Sequence, residues 1–251
     1  MNRKTVLLLV ALLSLTLACS ISGLPAGGST PVGNTNNTKS GSSHPSTPVS
    51  IRAGLASLNT YTLAIASNFS GPTKADFTKS NIEIDKSKDP DATSIHYVTS
   101  ESSASDTSSS QSDSYSYTIG NAQCSGSDAD GWEYSENTPQ QKEMSDLFYG
   151  MMDVIPLIDS PTYVGSETMN GIETNHFTFK VSGLGLQSGA EVTANQGEYW
   201  LAKDGQYIVK YTLITETLDS TTQTAMHMEI LIDLTTVNQP VSIAFPAGCK
   251  P

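Results

Sequence analysis

The last third of the chain keeps a two-residue rhythm that few architectures accept. In residues 172–182, Phe177, Phe179 and Val181 fall on one side of an extended chain and His176, Thr178 and Lys180 on the other. After the turn pair Asp204-Gly205, Tyr207, Val209, Tyr211 and Leu213 share a side. After Asp219-Ser220, Met226, Met228, Ile230 and Ile232 share one, opposed by His227, Glu229 and Asp233. Side chains alternate across a strand, so each segment makes one apolar and one polar face. Consecutive strands of this kind pair into an antiparallel sheet with one face packed and one in water. The apolar face then needs a cover.

Earlier segments extend the pattern. Residues 61–70 alternate, with Tyr61, Leu63, Ile65 and Phe69 in phase, and 94–100, 114–120, 132–134 and 197–203 read as further strands. Between two of them, residues 101–113 (ESSASDTSSSQSD) hold Ala104 as their sole apolar residue, which predicts a solvated hairpin tip or mobile loop. Two helices offer cover. Ser50 can cap a short one over 51–58, with Ile51, Leu55 and Leu58 on one face. Thr138-Pro139-Gln140-Gln141 opens a longer one, in which Met144, Leu147, Phe148, Met151, Met152 and Ile155 recur at helical spacing until Pro156. That face is rich in Met, which fills irregular and adaptable surfaces. A core helix is the plainer reading of it, and the lining of a hydrophobic cavity the sharper one.

The chain begins Met1-Asn2-Arg3-Lys4 and continues in an apolar run over 6–17, too short to span a bilayer and suited to a secretory signal. The run ends Leu15-Thr16-Leu17-Ala18-Cys19. This resembles the bacterial lipobox, in which a small residue precedes the cysteine that is diacylated and becomes the new N-terminus. Thr16 departs from the usual leucine three positions before the cysteine. Residues 1–18 are thus expected to be removed and Cys19 lipidated, attaching the protein to the cell membrane from the extracytoplasmic side. Residues 19–50 follow as a disordered tether: Ser, Thr, Gly, Pro and Asn make up 24 of residues 20–50, too little apolar area to offset ordering. His44 is a solvated residue of that tether.

Loss of Arg3 and Lys4 leaves 11 basic residues against 25 acidic ones, a formal charge of −14. Such a surface repels nucleic acid and anionic headgroups, so nucleic acid is excluded as a partner and membrane attachment falls to the lipid. Cys124 and Cys249 remain as a pair in an oxidising compartment and are expected to form a disulfide. Unpaired thiols or a shared metal are the alternatives, but no CxxC spacing or histidine pattern accompanies them.

Three stretches, 56–66 (ASLNTYTLAIA), 163–181 (YVGSETMNGIETNHFTFKV) and 197–213 (GEYWLAKDGQYIVKYTL), are similar to those of the bacterial LolA-like lipoproteins, in particular the LppX/LprG-type group. The resemblance covers residues 51–251 as a single domain, apart from the last few. It implies an α+β, mainly β fold: a curved antiparallel sheet, a half-barrel, with two helices over its concave apolar face. It also implies acyl chains of lipids or lipoproteins in the space between. The cavity would be lined by Leu55 and Leu58, by Tyr61 and Leu63, by Leu147, Phe148, Met151 and Met152, by Phe177 and Phe179, and by Tyr211, Met226, Met228 and Ile230. The Cys124/Cys249 pair and the serine-rich insertion depart from the family pattern.

No chemistry competes with this. There is no Gly-x-Ser-x-Gly elbow, no phosphate-binding glycine loop and no HExxH. His176 and His227 fall on expected wet faces and read as solvated. Asp128, Asp130 and Glu133 faintly suggest a calcium loop, but the third and the distal ligand positions of an EF-hand are missing, and a turn at Asp130-Gly131 is the simpler reading. The expectation is a monomeric lipid-binding lipoprotein that is not an enzyme, without cofactor or metal. The alternative is a surface lipoprotein with a structural or partner-binding role and no ligand.

Overall fold

The computed structural model describes residues 54–71, 76–103, 106–136, 158–181, 190–204, 207–219 and 224–250. Among these, eleven strands form one open antiparallel sheet: β1 (Thr60–Ser70), β2 (Phe77–Lys88), β3 (Asp91–Ser103), β4 (Asp106–Ile119), β5 (Ala122–Ser127), β6 (Gly131–Glu136), β7 (Asp159–Met169), β8 (Ile172–Lys180), β9 (Ala190–Ala202), β10 (Ile208–Asp219) and β11 (Ala225–Val237). The order is β6-β5-β4-β3-β2-β1-β11-β10-β9-β8-β7. Two meanders, β1–β6 and β7–β11, therefore meet where the first strand pairs with the last. The seam sets Leu63 opposite Leu234, Ile65 opposite Ile232 and Phe69 opposite Met228.

Local chemistry sets the hairpins. Asn170 and Gly171 between β7 and β8 take φ of 53° and 78°, the left-handed pair that a tight two-residue hairpin turn requires. Asn170 Nδ2 also donates to Asp233 Oδ1 at 2.6 Å and to the Leu234 carbonyl at 3.0 Å, both on β11. On a flat sheet three to four strand spacings would hold them roughly 14–19 Å apart. This end of the sheet therefore curls.

The core lies on one face. Leu63, Ile84, Phe177, Tyr199, Tyr211, Leu213, Ile232 and Leu234 are all buried there, with Leu55, Leu58 and Val181 packed among them. Phe177 stacks on Tyr199 at 4.8 Å between centroids, and Phe179 bridges Tyr199 and Tyr211. Each such pair adds about 0.5–1.5 kcal/mol beyond its buried area. Gly197 makes room for it, because a methyl there would run into the Phe179 ring.

Of the two readings of the serine-rich segment, the hairpin holds and the mobile loop does not: β3 runs on to Ser103, β4 starts at Asp106, and Thr99 faces Ser112 and Ser100 faces Gln111 across the ladder. The Thr99 and Ser112 hydroxyls are 2.5 Å apart. Strand propensity depends on the neighbours a strand finds, and here β3 supplies the backbone partner that composition cannot reveal. β5 pairs only with Tyr115–Ile119, so β4 before Tyr115 extends past it as an exposed edge. The even alternation read over 207–213 is likewise broken, by an irregularity between Ile208 and Lys210 that buries Ile208 and Val209 together.

Of the first expected helix, 51–58, residues 51–53 lie outside the described residues; Gly54 and Leu55 are helical, and Ser57 N–H to the Gly54 carbonyl and Leu58 N–H to that of Leu55 close its end as a turn. Residues 138–156 lie outside the described residues, as do the tether and the signal segment. The architecture established is a mainly β, open, antiparallel sheet.

Candidate functional site

Strands β1 and β11 carry a lane of apolar side chains along the core face. At one end Leu63 and Leu234 are buried to within 1 %. Ile65 and Ile232 follow, then Ile230 and Met228, which are partly buried. At the other end Phe69 is 44 % and Met226 54 % exposed. The alternation that builds these strands thus continues past the closed core to an open rim. From residue 234 to 226 the lane is about 27 Å long.

The expected cavity residues divide along this lane. Leu55, Leu58, Tyr61, Leu63, Phe177, Phe179 and Tyr211 are together in one buried cluster, with Met228 and Ile230 packed against it. Met226 is not enclosed: it stands at the rim, one position past the last pair that β1 makes with β11, Ser70 with His227. Leu147, Phe148, Met151, Met152 and Cys19 lie outside the described residues. Burial pushes the Tyr199 phenol up to about 12, and that of Tyr211 upward as well.

The opposite, outer face is less wet than its sequence suggests. His176 is not a solvated residue: its side chain is 16 % exposed, with Nδ1 at 3.1 Å from Glu167 and Nε2 at 3.3 Å from Glu198. Its ring stacks on Trp200 at 4.4 Å, and Trp200 Nε1 donates to Glu167 at 2.7 Å. Trp200 is 7 % exposed on this face while Tyr199 and Leu201 are buried on the other. The unbroken run Tyr199-Trp200-Leu201-Ala202 is the sequence signal for a strand covered on both faces. His227 keeps its expected place, half-exposed and 3.8 Å from Glu216.

Across β3–β6 the apolar side of the sheet changes. The core-face positions of β4 are Ser110, Ser112, Ser114, Ser116 and Thr118, whereas its outer positions bring Tyr115 and Tyr117 beside His96 and Trp132. Cys124, fully buried on this outer side, is joined to Cys249, 125 residues away. The C-terminal segment thereby lies over the aromatic group: Phe245 meets Tyr134 edge-on at 6.3 Å, and a methyl on Gly248 would come within 2.6 Å of Trp132. Asp128 and Asp130 belong to the β5–β6 turn, where Trp132 Nε1 donates to Asp128 and Ser127 and Asp130 bond each other.

No family model matches the chain, and no curated protein matches it. Solved structures similar to it include the lipoprotein LppX of Mycobacterium tuberculosis, at 15 % identity over 78 % of this chain and 94 % of that one, with a TM-score of 0.38. LprF from Mycobacterium bovis is similar at 12 % identity over the same shares, with a TM-score of 0.39. MucB in complex with MucA is similar at 12 % identity over 79 % of this chain and 59 % of that one, with a TM-score of 0.31. LppX and LprF match the family that the sequence resembles.

Proposed function

We propose that this protein is a lipoprotein held to the outer side of a cell membrane through Cys19, and that its sheet binds an acyl chain along β1 and β11. The observation that carries this is the lane from Leu234 to Met226, fully buried at one end and open at the other. One leaflet's hydrocarbon depth is about 15 Å, half of the bilayer core, so a lane of about 27 Å accommodates a single chain. The half-exposed Phe69 and Met226 form the entrance, and the role is binding without a chemical step.

Native mass spectrometry of the full chain extracted from membranes tests it. Lipid adducts are expected, and they should be lost when Phe69→Glu and Met226→Glu are combined. A lipid-free mass with a fully packed interior refutes the proposal. Cys19→Ala should move the protein out of the membrane fraction.

A further inference from the structure

The outer face holds two adjoining depressions, of about 170 and 370 Å³, which meet at Leu231. Together they cross β3, β2, β1, β11, β10 and β9, a span of about 24 Å at the usual strand spacing. The trough exists because β1 places Ala64 and Ala66, its smallest side chains, outward in the middle of the sheet. Val98, Leu231 and Ile214 continue the apolar floor, and Ile214 is 38 % exposed. The walls are acidic: Glu83, Glu198 and Glu229 face a single lysine, Lys210, whose ammonium lies 5.6 Å over the Trp200 ring.

We propose that this trough docks a cationic amphipathic segment of a partner protein. An apolar floor between carboxylates suits apolar side chains flanked by lysine or arginine, and the excess of acid over the whole chain steers such a segment inward. The span equals about 16 residues of helix. An acyl chain offers the carboxylates no cation, and an anionic headgroup would meet them as like charges. The inference does not rest on the lipid reading, which concerns the other face.

The test uses the full chain carrying Trp132→Phe, so that Trp200 alone reports. A 16-residue Lys/Leu amphipathic peptide, its Glu/Leu counterpart and phosphatidylcholine vesicles are titrated separately. The Lys/Leu peptide should give a saturable change in Trp200 emission. Glu83→Lys with Glu229→Lys should weaken it roughly tenfold or more, and so should high salt. Ile214→Asp should weaken it without altering surface charge in that direction. Co-purifying lipid should be the same in all these variants. An equal response to the Glu/Leu peptide, a response to vesicles instead, or an affinity unmoved by the charge reversals overturns the proposal.

Discussion

Removing the disulfide tests what holds the C-terminal segment to the sheet. The Cys124–Cys249 link closes a loop of 125 residues. Cross-linking that much chain removes unfolded-state entropy equivalent to about 5 kcal/mol at 25 °C, a large share of the 5–15 kcal/mol typical of a domain. Cys124→Ala with Cys249→Ala is the suitable pair, because a serine at fully buried position 124 would add an unsatisfied hydroxyl. With a urea dependence of about 2–3 kcal/mol per molar, the midpoint should fall by roughly 2 M. The loss should also be visible locally. Phe245 and Gly248 cover Tyr134 and Trp132, so Trp132 emission should shift to the red in less urea than melts the sheet by circular dichroism. A midpoint lowered by under about 0.3 M, with coincident transitions, would refute the reasoning and leave the aromatic contacts alone as the clasp.

Two further outcomes are expected. Gly197→Ala should destabilise the domain by about 1–3 kcal/mol through the Phe179 ring, and Phe179→Leu in the same chain should recover part of that in thermal unfolding. Tyr199 gives an alkaline signature: its folded value of about 12 lies above the unfolded value of 10.0, so the unfolded chain loses its proton first. Stability is therefore complete below pH 10 and declines between pH 10 and 12, by up to about 2–3 kcal/mol. Tyr199→Phe should flatten that decline in urea titrations; an unchanged slope argues against a buried phenol.

The core face was legible because its strands follow one rule: Phe177 sits between His176 and Thr178, Tyr211 between Lys210 and Thr212, and burial follows the alternation. β4 shows where that rule stops. Its tyrosines alternate as cleanly as any residues in the chain, yet which face they occupy depends on register with β3 and β5, and a single strand's sequence contains no register. The serines of residues 101–113 left hairpin and loop undivided for a related reason, since composition reports the cost of burial and not the presence of a partner strand. Strand β2 escaped notice because Ile82 and Ile84 are too few to mark it among its polar residues. The trough was out of reach: Ala64 and Ala66 form a floor only when six strands stand side by side. Cys124 and Cys249, by contrast, could be paired by compartment and elimination alone.

The meeting of β1 with β11 has a consequence for how the chain acquires its fold. Within each meander every strand pairs with its neighbour in sequence, so both can form quickly from local contacts. Their seam joins residues such as Leu63 and Leu234, more than 160 positions apart. Strand β1 is the first of the described strands along the chain, and it keeps an open apolar edge until β11, the last of them, pairs with it. For that interval Leu63, Ile65 and Phe69 are available to the wrong strand of another copy. The slow event in folding is then the closing of the two termini on each other, and a chain cut short before Ala225 would retain most of its hairpins but could not close its centre.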